Sequence, residues 1–226
     1  MSTVGEAINA LRSGKFVLLH DSNIRENEID MVISAEFVRP EHIATMRSVA
    51  GGLICLCLEY EIANKLELMY MYEILRDHKS LYKLASNKAP YGDKPSFSLW
   101  INHNDTFTGI TDMDRSLTIS KMAYVCKRID LDGKEYFFDN FRAPGHVPLL
   151  IAAKGLLHSR KGHTELCTYL AKLSGLTSCV VICEMLDSIS YKALSLEKAR
   201  EYADINNIPL IEGSQLHDHL AISQKQ

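Results

Sequence analysis

The run Cys179-Val180-Val181-Ile182-Cys183 contains no polar side chain. In a strand, successive side chains alternate between the two faces of a sheet. A strand with no polar residue on either face has to be covered on both. That requirement points to a central sheet packed between helices. Other segments supply both kinds of element. Val4, Ala7, Ile8 and Leu11 recur at helical spacing, and Gly14 stops that helix. Residues 16–19, 31–37 and 53–58 read as strands, the last following Gly51-Gly52. Pro40 opens a helix carrying Ile43, Met46 and Val49-Ala50.

Further along, residues 96–103 alternate as a half-buried strand, and 114–128 form a helix with Leu117, Met122 and Val125 on one face. Residues 130–140 read as a polar loop, and the apolar stretch 147–157 as a helix. Leu166, Leu170 and Leu173 line a helix over 164–174, with Gly175 after its end. Ser195 caps a polar helix reaching about residue 206; a strand over 208–211 and a helix over 215–222 follow. Residues 60–91 show no clean period and read as one helix and a long loop. Without a repeat or linker, the expectation is a single α+β domain over 1–226, a mixed sheet flanked by helices.

Composition narrows the function classes. A chain of 226 residues, 46% hydrophobic, is long enough to bury a full core. The formal charge of -3, with Lys and Arg scattered, leaves no basic field for nucleic acid. No apolar run approaches the ~20 residues needed to span a bilayer. The first residues lack a basic segment followed by an apolar one, so the expectation is a cytoplasmic protein without membrane partners. The six cysteines form no Cys-x-x-Cys and read mostly as buried, reduced thiols.

Three stretches concentrate charge and imidazole. Asp21-Ser22-Asn23-Ile24-Arg25-Glu26-Asn27-Glu28-Ile29-Asp30 packs four carboxylates and an arginine between two apolar strands. If extended, it puts Glu26, Glu28 and Asp30 on one face at steps of about 7 Å. Such a row can bind one or two Mg²⁺ ions or share protons; a solvated turn is the other reading. Arg160-Lys161-Gly162-His163-Thr164-Glu165 directly precedes a well-marked helix. Free first-turn amides and the helix dipole attract an anion there. Gly162 allows close approach, Arg160 adds a bidentate donor, and His163 stands ready to ligate a metal. An ordinary capped helix also fits these residues.

In Arg142-Ala143-Pro144-Gly145-His146, a Pro-Gly turn presents a histidine that fits either a general acid–base or a surface residue. Glu184 closes the apolar run, where α/β folds gather active-site groups. Thr108-Gly109-Ile110-Thr111-Asp112 offers hydroxyls and amides to a polar ligand. A metal site and a phosphate site in one chain point to an enzyme acting on a phosphorylated small molecule.

In this order, Asp21 with 25–30, Gly51-Gly52-Leu53-Ile54-Cys55, Thr108-Gly109-Ile110-Thr111 with Asp114-Arg115, Arg142 with 144–147, Gly162-His163-Thr164-Glu165 and Cys183-Glu184-Met185 cover almost the whole chain. The sequence resembles the 3,4-dihydroxy-2-butanone 4-phosphate synthase family of riboflavin biosynthesis. The resemblance implies a homodimer that converts D-ribulose 5-phosphate to 3,4-dihydroxy-2-butanone 4-phosphate plus formate through an enediol, with Mg²⁺ (or Mn²⁺). It implies Glu26 and His163 as metal ligands. It places Arg25, Glu26, Asp30, Arg160, Lys161, Gly162, His163, Thr164 and Glu184 at the sugar phosphate, along with Thr108 and Thr111. His146 and Glu184 become essential to catalysis, with Asp21, Glu28 and Cys55 in the same pocket.

The chain departs from the family pattern at Asn27 and Ile29, where glycine or threonine is common, and lacks an Asp-Asp-Gly after Glu184. An extended strand turns Ile29 away from the site. Two rivals remain: a metal-dependent sugar-phosphate isomerase or aldolase, and a sugar-phosphate binding module.

Overall fold

The computed structural model describes residues 2–223. Along the chain, helix α1 (Val4–Arg12) leads into strands β1 (Val17–His20) and β2 (Ile29–Ser34). Helix α2 (Pro40–Thr45) and strand β3 (Cys55–Leu58) follow, then three short helices, α3 (Tyr60–Lys65), α4 (Met71–Arg76) and α5 (Tyr82–Ser86). Strand β4 (Phe97–His103), helices α6 (Asp112–Lys127) and α7 (Gly133–Asn140) and strand β5 (Phe141–Ile151) make the middle of the chain. The last part holds α8 (His163–Leu173), β6 (Cys179–Glu184), the small hairpin β7 (Leu186–Asp187) and β8 (Lys192–Ala193), α9 (Leu196–Asn206), β9 (Leu210–Glu212) and α10 (Gly213–Ser223).

Seven strands form one mixed sheet in the order β4-β5-β3-β6-β2-β1-β9. β3 pairs parallel with β5, and β1 with β9; the other pairings are antiparallel. β6 lies at the centre, and its apolar run feeds two cores. Cys179, Val181 and Cys183 face one core with Met31, Ile33, Leu56, Leu149 and the buried side of α6. Val180 and Ile182 face the other with Val32, Leu150 and residues of α1 and α8. Fully burying a Val, Leu or Ile side chain contributes about 1.5–3 kcal/mol, so this two-sided strand anchors both layers.

Local signals set several helix starts. Thr3 Oγ1 accepts the Glu6 amide at 3.2 Å while Glu6 Oε2 accepts the Thr3 amide at 2.7 Å, a reciprocal cap on α1. Thr111 and Ser195 hydroxyls cap α6 and α9 in the same sense, accepting from Asp114 (3.1 Å) and Lys198 (3.3 Å).

Three segments differ from the sequence reading. Residues 147–151 are strand, not helix: Val147 and Leu149 enter one core and Leu150 the other, the same two-sided burial as in β6. Residues 133–140 are helix rather than loop. Phe137 plugs the core beside α6, and Gly133 passes so close to the Val125 carbonyl that a Cβ would stand 2.4 Å from it. Residues 60–91 hold three short helices rather than one. Among the described residues, no helix is long and apolar enough to cross a membrane.

Candidate active site

The acidic stretch is not an extended row. Residues 23–26 turn, Asn27 adopts φ +54°, and strand β2 begins only at Ile29. Asp21, buried at the end of β1, holds that turn together. Its carboxylate accepts the amides of Glu26 (3.0 Å) and Glu28 (3.2 Å) and lies 3.4 Å from Arg25 Nη1. Asn27 Oδ1 meets His20 Nε2 at 3.0 Å, so this left-handed residue of the turn is itself anchored. The turn still brings Glu26, Glu28 and Asp30 to one cavity, while Ile29 packs into the opposite core, as expected.

That cavity, about 230 Å³, also receives Arg25, Arg160, His163, Thr164 and Glu184. Asp30 and Glu184 are direct partners across β2 and β6. Glu184 is clamped by the turn after Gly51: its Oε2 accepts the Leu53 amide at 2.8 Å, and a Cβ on Gly52 would meet that oxygen at 2.5 Å. This contact accounts for Gly52, while Gly51 ends the preceding helix at φ +83°.

His163 opens α8 and reaches across to the acidic turn. Its Nδ1 lies 3.0 Å from Glu26 Oε2, and its Nε2 lies 3.1 Å from the Glu28 carbonyl oxygen. Asp21, Glu26 and His163 each offer a ligand atom, all within 4.8 Å of one another. Burial pushes the Asp30 carboxyl up to about 8. Burial pulls His163 the other way, yet Asp30, Glu26 and Asp21 raise it to about 9. Burial opposes ionisation of Glu26 too, but His163, Tyr91 and Arg25 hold it down at about 2. Glu28 is raised by burial and by Glu26 and Glu184. A divalent cation would offset part of this dense negative charge. Asp30 Oδ1 is buried with no hydrogen-bond partner. Two carboxylates and an imidazole suit a hard cation such as Mg²⁺ or Mn²⁺.

The arginines stand beside this cluster. Arg160 Nη1 donates to Ser96 Oγ (2.6 Å) and Glu165 Oε2 (2.9 Å). Arg25 pairs with Glu26 (2.8 Å) and Asp93 (3.0 Å), under the ring of Tyr91. Asp93 also lies 3.4 Å from Arg160 Nε, so one carboxylate bridges both guanidinium groups. Gly162 is the cap residue of α8 and Thr164 lies in its first turn.

Several expected site residues lie elsewhere. His146, Thr108, Thr111 and Lys161 are exposed and do not line the cavity. His146 stands four residues before cavity-lining Leu150 on β5, roughly 13 Å along a strand. It does not sit on a simple Pro-Gly turn; residues 143–146 bulge from the β4–β5 ladder. Cys55 is fully buried, and burial followed by nearby Glu184 pushes its thiol well up, so it remains protonated.

Sequence reasoning assigned no part to Tyr91, Asp93, Ser96 and Glu165. Glu165, 0% exposed, accepts the Gly162 amide (3.2 Å) and the Ala153 amide (2.8 Å) besides Arg160. Its position three residues after the cap is a recognisable sequence signal. Tyr91 ends the stretch with no period, Asp93 follows it and Ser96 stands directly before β4; none carried such a signal.

What the fold and cavity define is an enzyme: acids, imidazole and guanidinium groups converge at the end of a central strand and the start of a helix. Residues 5–219 match the family model described as 3,4-dihydroxy-2-butanone 4-phosphate synthase. The chain belongs to that family. The synthase of Methanothermobacter thermautotrophicus is 44% identical over 217 residues, covering 94% of this chain and 93% of that protein. That of Archaeoglobus fulgidus is 43% identical over 226 residues, covering 95% and 92%. A crystal structure of 3,4-dihydroxy-2-butanone 4-phosphate synthase in complex with two magnesium ions superposes with a TM-score of 0.83 at 27% identity, covering 99% of each chain.

Proposed function

We propose that this enzyme converts D-ribulose 5-phosphate to 3,4-dihydroxy-2-butanone 4-phosphate and formate, a lyase step of riboflavin biosynthesis carried out in the cytoplasm. The observation that carries this reading is one cavity lined by Glu26 and His163, with buried Asp21 within ligating reach of both, beside Arg160 and the first turn of α8. The reaction needs no further reactant, since the five carbons of the ketose divide into a four-carbon product and formate.

Arg160 and the first-turn amides at Thr164 hold the phosphate, where the helix dipole adds to the attraction. Glu26 and His163, with Asp21, hold Mg²⁺ or Mn²⁺, which when bound supplies Lewis-acid polarisation of substrate oxygens. Arg25, Glu28 and Asp30 line the sugar path. Glu184, fixed by Leu53 and facing the cavity, moves protons at the carbons beside the ketose carbonyl. A fixed phosphate keeps the enediol from escaping. An isomerase or aldolase would share the enediol but release no formate, and a formate assay separates them. A binding module would need the cradle but not the acids.

Arg160→Ala tests the cradle. A charged hydrogen bond to an anion contributes about 1.5–3 kcal/mol. The apparent substrate constant should therefore rise roughly 10- to 150-fold. An unchanged constant would place the phosphate elsewhere, with Arg142 the next candidate.

The homodimer has support in an exposed apolar patch. Phe107 is 95% exposed, and Ile110 and Met113 are also exposed, close to Thr108 and Thr111. Arg47 pairs with Asp112 at 3.0 Å, tying this loop to the segment that carries exposed Val49 and Leu53. In the dimer, this patch and His146 meet the second copy. Light scattering should give twice the 25.5 kDa chain mass. Phe107→Asp should shift the protein toward monomer with lower activity; a fully active wild-type monomer would contradict the dimer.

A further inference from the structure

We infer that Asn102 is a positioning residue that locks His146 in the tautomer carrying its proton on Nε2, so that the ring presents a hydrogen-bond donor to the substrate. The inference rests on the reading of His146 as part of the reaction and on the proposed dimer: His146 does not line the cavity of its own chain, so the substrate it serves is the one bound in the second copy. Asn102 is 3% exposed, on β4, opposite the bulge of residues 143–146. Its Oδ1 accepts the backbone amide of His146 at 2.8 Å. Its Nδ2 lies 3.1 Å from His146 Nδ1 and 3.5 Å from the Thr108 carbonyl oxygen.

These partners fix which way the amide points. A backbone N–H only donates and a carbonyl only accepts, so Oδ1 must face His146 N and Nδ2 must face Thr108 O. An imidazole nitrogen facing an amide NH₂ has to offer its lone pair. The neutral ring therefore carries its proton on Nε2.

Two glycines make room for this arrangement. Gly109, at φ +96°, passes so close that a Cβ would stand 2.0 Å from Asn102 Nδ2. A Cβ on Gly145 would stand 2.4 Å from the Asn102 backbone nitrogen. The loop carrying Thr108 thus closes on the Asn102 carboxamide, and the bulge carrying His146 closes on the strand backbone at Ile101 and Asn102. A ring held this way stabilises negative charge developing on a substrate oxygen, and the first proton abstraction is left to a carboxylate such as Glu184.

The test uses the full-length protein with ¹⁵N-labelled histidine, Mg²⁺ and ribulose 5-phosphate. Loss of signals in His146→Gln identifies the His146 ring. The wild-type spectrum should show the Nε2-protonated tautomer. In Asn102→Asp, a carboxylate oxygen faces Nδ1 and should draw the proton there. Turnover should then fall at least about 100-fold, with KM within about threefold. The same change in the His146→Gln background should cost less than about threefold.

An Nδ1-protonated or tautomer-mixed ring in the wild type overturns the inference, even if the Asn102 variant does not fold. So does an Asn102→Asp protein with a shifted tautomer and turnover within about tenfold of wild type. An equal loss in both backgrounds also overturns it, because Asn102 would then act without His146. If His146→Gln alone retains turnover within about tenfold, the reading of His146 fails first, and that outcome is seen with Asn102 untouched.

Discussion

Glu26→Gln should reduce turnover by about 100- to 10,000-fold while leaving the fold intact. The reason is local. Glu26 Oε2 lies 3.0 Å from His163 Nδ1 and 2.8 Å from Arg25 Nη1, and burial and charge around it favour a cation. A bound cation supplies several kcal/mol of charge stabilisation, and each ~1.4 kcal/mol is tenfold in rate. Glutamine keeps the shape of the side chain but not its charge. The variant should lose calorimetric binding of Mg²⁺, and wild-type activity should disappear with EDTA and return with Mg²⁺ or Mn²⁺. Full turnover by metal-free protein would remove the metal from the account. A thermal midpoint lower by more than about 2–4 °C would mean a loss of stability above about 1 kcal/mol for a chain of this size, making Glu26 a structural residue instead.

His146→Ala and Glu184→Ala should each bind ribulose 5-phosphate and fail to complete the reaction, with losses of about 10²–10⁴-fold. Glu184 is held at the end of β6 by the Leu53 amide, and His146 is held by Asn102, so both are fixed without metal duty. Exchange of the substrate's α-proton with deuterated water separates their steps. A variant that loses exchange blocks enediol formation; one that keeps it blocks the later rearrangement. If both variants release formate within about tenfold of wild type, neither moves a proton in the reaction. The proton work would then pass to Asp21 or Glu28. Cys55, the remaining sequence candidate, is buried and held protonated.

The sheet was legible where burial left a mark in composition. β6 and β3 are apolar because both their faces are covered. The same logic applies to β5, but a short apolar run has no period that separates a buried strand from a buried helix. α7 was illegible for the opposite reason. Its sequence is polar, and its helix depends on Phe137 and on the close passage of Gly133 past Val125, which are tertiary facts.

The clustering of acids with His163 was legible because Asp21, Glu26, Glu28 and Asp30 are neighbours in the chain, and His163 stands at an evident helix start. Asp93 was not, because it meets Arg25 from 68 residues away, in a segment without periodicity. His146 was singled out in the sequence, but its surroundings were not legible there. Asn102 lies 44 residues upstream in a strand that reads simply as half-buried.

The most direct test of the assigned reaction is to incubate the pure protein with ¹³C-labelled D-ribulose 5-phosphate and Mg²⁺ and follow the carbons by NMR. The account predicts equal amounts of labelled formate and 3,4-dihydroxy-2-butanone 4-phosphate, both absent with EDTA. Consumption of substrate to another five-carbon sugar phosphate, or to fragments without formate, would contradict it.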